Sequence, residues 1–292
     1  MPFYDAIMPM IEAGRAEILT EVRPVVLDAE EAAFARRLPD PPPDSIERSI
    51  ALIALDGVTV MGPTGAIVDE VRGRLLKPRG ARDFVSYHDF RPILTKAVSK
   101  PDANYFNMLG SHRGHEHFFH FLLDRLPRLY YLLHLFDLGR EPVTVLTNSG
   151  LPAFQRDIYR FIGQRFANVR FEAVPPGERW QMKRFYHLDD YQPIKRTLAD
   201  PAVLDFFRSL VFEGYGLAEP EHKRRIYVTR SDAKRRRIAN EPEIMPIFAR
   251  HGFDSLAPGT LSLRDQVAQF MSADVIAGPH GAGLTNILFA PK

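Results

Sequence analysis

The chain has no cysteine and no long run of apolar residues. Because cysteine is absent, disulfide bonds and thiolate chemistry are excluded, which fits a protein of a reducing compartment. No apolar stretch approaches the roughly 20 residues that a helix needs to cross a bilayer. The first residues also lack the basic and apolar regions of a secretion signal, so the sequence predicts neither secretion nor a membrane-spanning helix.

Composition predicts a soluble globular chain with room for two ordinary domains. Of its 292 residues, 45% are hydrophobic and 25% are charged, and the net charge is only +2. The charge is unevenly distributed, because residues 222–237 hold eight Lys or Arg against one Asp. No recognition-helix pattern accompanies this cluster, so a small phosphate-bearing ligand fits it better than nucleic acid. Binding of a polyanion is the alternative.

Three parts can be distinguished along the chain. Residues 1–99 carry alternating apolar segments with glycine turns, which predict short antiparallel strands. Residues 100–218 contain a long apolar helix, a buried strand at 142–147 and two further helices. Residues 219–292 form the third part, which has the clearest pattern.

The third part alternates three strands with helices. Strands are predicted at 225–229, 253–256 and 274–278. Helices are predicted at 240–252, at 262–271 and from 283 onward. This α/β alternation predicts a parallel sheet, and ligands bind such sheets beyond the carboxyl ends of the strands. Arg230 and the loop 278–283 are expected there.

Polar residues mark the starts of two of these helices. Asn240 with Glu243, and Ser262 with Asp265, have the spacing of capping boxes. Gly252 follows the first helix and is expected to end it.

Residues 280–286, with the sequence HGAGLTN, join the last predicted strand to a helix. Gly281 and Gly283 let the backbone come close to a ligand, and the unpaired N–H groups of the helix start attract an anion. His280, Thr285 and Asn286 add side-chain hydrogen-bond donors. Because the segment is not a G-x-G-x-x-G motif, a tight turn that its histidine merely caps is the alternative.

The apolar helix near residue 120 carries four ionisable side chains four residues apart. Glu116, His120, Asp124 and Arg128 are therefore expected to form one polar stripe. Ionisable groups on a buried helix need partners or a water-lined cleft, so the stripe indicates either a catalytic site or a satisfied polar network in the core. Pro127 predicts a kink or a helix boundary nearby.

Three segments resemble glycosyltransferase family 61: HFFHFLLDRLPRL at 117–129, RIYVTRSDAKRRRIANEPEI at 225–244, and LSLRDQVAQFMSADVIAGPHGAGLTNILFAP at 261–291. The resemblance extends over about residues 100–292. It implies an α/β, GT-B-like architecture, in which an acceptor-side Rossmann-like domain (100–218) faces a nucleotide-sugar-binding one (219–292) across a cleft. It also implies a site for the sugar nucleotide, made of Arg230, Arg236, Asn240, Glu241, His280, Gly281, Ala282, Gly283, Leu284, Thr285 and Asn286.

The resemblance further implies an inverting transfer from a nucleotide sugar to a glycan or another hydroxyl acceptor. Such a transfer needs a base for the acceptor hydroxyl, which we assign to Asp124, with His120 orienting it or serving in its place. Arg230, Arg236 and the helix start behind His280 would stabilise the departing diphosphate. No D-x-D motif ends a strand, and Asp189–Asp190 is expected in a loop, so we expect neither a metal nor another cofactor. A nucleotide-sugar epimerase or hydrolase of similar fold is an alternative.

Bacterial relatives in this family are associated with capsule and other surface polysaccharides. The chain is more similar to them than to eukaryotic relatives, which carry an N-terminal membrane anchor. We therefore expect a cytoplasmic enzyme, and peripheral association with the inner membrane stays open. Family members continue beyond the last segment, so we expect an incomplete third part in which Ile287, Leu288 and Phe289 are partly uncovered.

Overall fold

The computed structural model describes residues 10–22, 49–62, 64–69, 71, 74–76, 97–100, 103–110, 116–135, 141–191, 201–218, 220, 224–233 and 236–291. The chain forms two compact units, each assembled from separate stretches. The first comprises Met1–His115, Leu123–Gly150 and Phe166–Asp200, and the second comprises Glu116–Leu122, Leu151–Arg165 and Pro201–Lys292. Helices accompany a sheet in each unit, which confirms the α/β class.

The N-terminal strands of the first unit are antiparallel, as the glycine-separated alternation predicts. They are β1 (Ala16–Val22), β2 (Ser49–Met61), β3 (Ala66–Asp69) and β4 (Arg74–Leu76). Strand β2 pairs with β1 on one stretch and with β3 on another, and β3 pairs with β4. Residues 52–55 of β2 are all buried, so both faces of the strand are covered there, and Ile53 and Leu55 belong to the hydrophobic core of the unit.

The same sheet continues into a parallel region. Its strands are β5 (Val98–Ser99), β6 (Asn104–Asn107), β7 (Val143–Asn148), β8 (Val169–Val174) and β9 (Arg179–Tyr191). The order through the described part of the sheet is β4-β3-β2-β9-β6-β7-β8. Strand β9 pairs antiparallel with β2 over most of its length and parallel with β6, and so joins the two regions.

This pairing changes the predicted division of the chain. A boundary near residue 99 would separate the N-terminal strands from the rest, but β2 and β9 bond them into one sheet. The predicted boundary near residue 218 also differs from the observed division, because the second unit includes Leu151–Arg165 and all residues from Pro201 onward. Residues of the predicted middle part are therefore shared between the two units.

The apolar helix forms as predicted, but it is not a regular α-helix. Helix α1 (Phe118–His120) leads into a π-helical turn (Phe121–Arg125) and then into α2 (Leu126–Leu135). Pro127 lies just after the π-helical turn. Proline cannot donate the backbone hydrogen bond of its position, and its ring crowds the carbonyl four residues earlier. The wider turn accommodates this mismatch, and the change of helix type beside Pro127 is the predicted helix boundary.

Two amphipathic helices contribute to the second unit. Helix α3 (Ala153–Arg165) and helix α4 (Pro201–Tyr215) pack together, with the rings of Phe161 and Tyr215 4.8 Å apart. The Tyr215 hydroxyl donates a hydrogen bond to Asp157 at 2.7 Å. Burial, followed by this bond, raises the pKa of Tyr215.

The sheet of the second unit has the three parallel strands that the sequence predicts. They are β10 (Arg224–Val228), β11 (Phe253–Leu256) and β12 (Ala273–Ala277), and β10 lies between the other two. The register brings Arg225 opposite both Phe253 and Val275. Because the strands are parallel, the loops that follow them meet at one edge of the sheet.

The connecting helices begin near their predicted starts. Helix α5 (Glu241–Arg250) follows Asn240, and the left-handed Gly252 (φ +77°) comes shortly after its end. Helix α6 (Leu263–Met271) is capped by Ser262, whose Oγ accepts from the Asp265 backbone at 3.2 Å. The Asn240 side chain does not cap α5; it donates to the Glu243 carboxylate at 3.5 Å.

The last helical segment differs from the expected α-helix. Residues Ala282–Phe289 form a 3₁₀ helix, which we call the terminal 3₁₀ helix. Phe289 is fully buried, contrary to its expected partial exposure, and its ring lies 6.3 Å from that of Phe212. Ile287 is 51% exposed, as expected. Across the described residues no helix combines the length and apolar character needed to cross a membrane.

Candidate functional site

A cavity of about 200 Å³ opens at the carboxyl edge of the three-stranded sheet. Its walls come from the loops after all three strands, as the parallel topology predicts. The lining residues are Val228, Thr229, Arg230, Asp232, Ala233, Pro258, Gly259, Pro279, Gly281, Ala282, Gly283 and Leu284. Five of the predicted site residues, Arg230 and residues 281–284, are therefore brought together here.

Arg230 lies against the backbone of residues 278–283, which we call the glycine loop. A Cβ atom added to Gly281 would lie only 1.5 Å from Arg230 Nη1, so a side chain at this position would displace the guanidinium. Gly281 is extended (φ 175°), so its role is to leave space and not to adopt a left-handed backbone. Gly283 similarly packs closely, because its added Cβ would lie 3.1 Å from Val228.

Arg236 and His280 are in direct contact, although 44 residues separate them along the chain. Arg236 Nη1 donates to His280 Nδ1 at 2.7 Å. Because a guanidinium has no acceptor, Nδ1 must be the acceptor and carry no proton in this arrangement. Arg236 also has a left-handed backbone (φ +57°), which is costly for a residue other than glycine and is common at functional sites.

Asn286 points into the protein and away from the cavity. It is completely buried, and its Nδ2 donates to Gln266 at 2.8 Å and to the Gly283 carbonyl at 3.1 Å. The predicted role of its amide as a ligand donor therefore does not match this geometry. The side chain instead ties the glycine loop to helix α6. The Thr285 hydroxyl oxygen is also buried, with no hydrogen-bond partner among the described residues.

Asn240 and Glu241 stand at the start of helix α5. Asn240 is exposed, whereas Glu241 accepts a hydrogen bond from the Tyr227 hydroxyl at 3.1 Å. Burial, followed by this bond, raises the pKa of Tyr227 to about 12. Glu241 therefore fastens the first turn of α5 to strand β10, and with it the segment that carries Arg236.

The predicted catalytic pair is divided between the units. His120 lies in the second unit, on helix α1, which packs against the terminal 3₁₀ helix. Asp124 lies in the first unit, in the π-helical turn, and is half-buried. His120 is exposed, and its ring lies 4.8 Å from that of His117. The division reflects the π-helical turn, through which the chain passes from one unit to the other.

The remaining members of the predicted stripe have different surroundings. Glu116 is exposed and precedes helix α1. Arg128 donates to the Leu188 carbonyl at 2.6 Å and lies near the buried His187. Burial, together with the charge of Arg128, lowers the pKa of His187 well below its usual range. Arg128 is therefore part of a structural network of the first unit.

Two polar contacts were missed by the sequence reasoning. In the second unit, Asp232 Oδ2 accepts from the Gly259 backbone at 2.9 Å inside the cavity. In the first unit, the Arg125 guanidinium occupies the space that a Cβ of Gly110 would need. Gly259 and Gly110 each follow a parallel strand. Ligands bind beyond the carboxyl ends of such strands, and the same reasoning that pointed to Arg230 could have pointed to these two contacts.

Comparison with known proteins assigns the chain to a family. No curated protein sequence matches the chain. The family model described as Glycosyltransferase 61 matches residues 118–292, which is more than half of the chain. The match includes the helix with His120 and Asp124, the basic segment with Arg230 and Arg236, and the glycine loop. The chain therefore belongs to glycosyltransferase family 61 and is a glycosyltransferase.

Proposed function

We propose that the cavity of the second unit binds the diphosphate of a nucleotide sugar, and that the enzyme transfers the sugar with inversion to a hydroxyl acceptor. The observation that carries this proposal is the convergence of two arginines on the glycine loop. Arg230 lies against Gly281, and Arg236 bonds to His280 at 2.7 Å.

The arrangement suits an anion for electrostatic reasons. Guanidinium groups stay charged at all physiological pH values and present forked N–H donors that match phosphate oxygens. Gly281 has no side chain, so a diphosphate could approach its backbone closely. Its neighbour Arg230 borders a cavity that also has apolar walls, where charge interactions are stronger than in bulk water.

Four buried or half-buried side chains hold this arrangement in place. Asn286 ties the glycine loop to Gln266, and Glu241 fastens helix α5 to Tyr227. We assign them as positioning residues, because they hold the ligand-facing groups without lining the cavity themselves. Such support lowers the entropic cost of binding, since the loop is already ordered.

The transfer that we propose is a single displacement. The acceptor oxygen bonds to the anomeric carbon on the face opposite the diphosphate, while the bond to the diphosphate oxygen breaks. Asp124 takes the proton of the acceptor hydroxyl, and His120 is the second candidate for that role. The positive charges of Arg230 and Arg236 stabilise the departing diphosphate. The acceptor that we propose is a glycan of a surface polysaccharide.

Replacing Arg236 is expected to weaken binding of the nucleoside diphosphate by about 1.5–3 kcal/mol, the usual contribution of a charged hydrogen bond. Calorimetric titration of Arg236→Ala and Arg236→Gly measures this. Both variants remove the guanidinium, but glycine also suits the left-handed backbone at φ +57°. Arg250→Ala, at the opposite end of helix α5, is the control and should bind normally. Unchanged affinity in both Arg236 variants would remove this residue from the site.

Activity is expected not to depend on a divalent cation, because the arginines supply the positive charge that a metal would supply. Among the described residues no three His, Asp or Glu side chains cluster closely enough to share a metal ion. Asp189 and Asp190 lie in strand β9 and not in the expected loop, and their side chains are outside the described residues. Rates with and without a chelator test the proposal. A loss of activity that Mn²⁺ restores contradicts it.

A further inference from the structure

We propose that Asp232 recognises the nucleoside part of the sugar nucleotide by accepting two adjacent hydrogen bonds from it. This inference rests on the proposed function, since it concerns the same cavity. Two nucleoside groups share the required chemistry: the 2′,3′-diol of ribose, and the N1–H and 2-amino edge of guanine.

Asp232 and Arg230 extend to opposite sides of the cavity, although only one residue separates them. Arg230 lies against Gly281, which follows β12, whereas Asp232 lies against Gly259, which follows β11. The two outer strands are two strand spacings apart across β10, or about 9–10 Å. The cavity is thus positive on its β12 side and negative on its β11 side. A ligand with a diphosphate at one end and hydrogen-bond donors at the other matches this polarity.

The backbone at Gly259 is shaped to admit the carboxylate. A Cβ on Gly259 would lie 2.5 Å from Asp232 Oδ2, so any other residue would push the carboxylate aside. The hydrogen bond from the Gly259 backbone holds one oxygen at 2.9 Å. An ionised carboxylate has about four acceptor positions, so this bond orients the group and leaves acceptor capacity for a ligand.

The cavity also has apolar walls that suit a nucleoside. Val228, Ala233, Pro258 and Leu284 contribute this apolar surface. Binding sites for small molecules combine such surface with a few placed polar groups that fix orientation. Asp232 is exposed at the cavity mouth, and its carboxylate can pair with hydrogen-bond donors of a ligand but not with an acceptor such as a carbonyl or phosphate oxygen.

Calorimetric titration with nucleoside diphosphates tests the proposal on the full chain. The variant Asp232→Asn keeps an oxygen for the Gly259 backbone but replaces the second acceptor with an amide donor. We expect it to lower affinity for the preferred diphosphate about tenfold or more, the effect of a lost charged hydrogen bond. Gly259→Ala leaves the carboxylate in the chain but displaces it, and should have a similar effect.

Titration with different nucleotides shows whether Asp232 binds the ribose diol or the guanine edge. If the ribose diol is bound, UDP and GDP bind alike, 2′-deoxy-UDP binds about tenfold more weakly, and Asp232→Asn abolishes that difference. If guanine is bound, GDP and 2′-deoxy-GDP bind alike and more tightly than UDP. Asp232→Asn then prefers xanthosine diphosphate, whose 2-carbonyl accepts from the new amide. Either pattern supports the proposal.

Two outcomes overturn it, and they can be told apart. If Asp232→Asn binds every diphosphate within about twofold of the unaltered protein while Arg236→Ala binds weakly, Asp232 has only a structural role and the phosphate site stands. If the unaltered protein binds no nucleoside diphosphate, the proposed function fails, and this inference with it.

Discussion

Replacing Asp124 with asparagine is expected to lower kcat by about 10² to 10⁴, which is the contribution of a positioned general base. Asparagine keeps the size and shape of the side chain but cannot take the acceptor proton. Asp124 is half-buried in the π-helical turn, so an isosteric change should leave folding intact. Such turns within α-helices are frequent at functional sites. Steady-state rates, with nucleotide affinity measured alongside, check the prediction.

Two further variants test whether the loss of activity is specific to Asp124. Asp254→Asn removes an exposed carboxylate that pairs with Arg224, and it should have little effect on the rate. His120→Ala should be mild if His120 only orients Asp124, and as severe as Asp124→Asn if His120 is itself the base. If Asp124→Asn retains full activity and His120→Ala loses it, the base is the histidine, which belongs to the same unit as the glycine loop.

Gly281→Val is expected to reduce nucleotide affinity more than Arg236→Ala does. Valine at this position would collide with the Arg230 guanidinium, whose Nη1 lies 1.5 Å from an added Cβ. The valine side chain would also block the approach of the diphosphate to the backbone at residue 281. The contact with Arg230 and the contact with the backbone would therefore be lost together. The loss should exceed about 3 kcal/mol, the upper value for one charged hydrogen bond. Calorimetry or competition with a labelled nucleotide measures this.

The effect should be local, because Gly281 is extended and a valine backbone can adopt that conformation. Gly252→Ala is the matched control: it strains a left-handed residue, but no atom lies within 4 Å of its added Cβ. We therefore expect Gly252→Ala to lower the melting temperature while leaving affinity unchanged. Normal affinity in a folded Gly281→Val protein contradicts the assignment of the loop.

Local patterns in the sequence predicted the second unit well. The three strands and helices α5 and α6 appear where apolar periodicity and capping residues indicate them. Their parallel arrangement follows from short βα connections, so the sequence alone places Arg230 at a strand end. The contact of Arg236 with His280 is consistent with the resemblance, which already grouped the two residues in one site.

Features that depend on distant pairing could not be predicted. Strand β9 bonds to β2 more than a hundred residues earlier, and no local pattern in either strand specifies that partner. The contact of the buried Asn286 with Gln266 lies in a 3₁₀ helix where the sequence predicted an α-helix. The π-helical turn at residues 121–125 likewise alters the regular four-residue spacing that the polar stripe assumed.

The most direct test of a nucleotide-sugar site is the melting temperature of the protein with different sugar nucleotides. A ligand that binds the native state at 100 times its Kd stabilises it by about 2.7 kcal/mol. We expect UDP-, GDP- or TDP-linked sugars to raise the melting temperature, and Gly281→Val to abolish the rise. CMP-linked sugars, which have a single phosphate, should raise it less. If no diphosphate-linked sugar raises the melting temperature, or if Gly281→Val responds as the unaltered protein does, the account is contradicted.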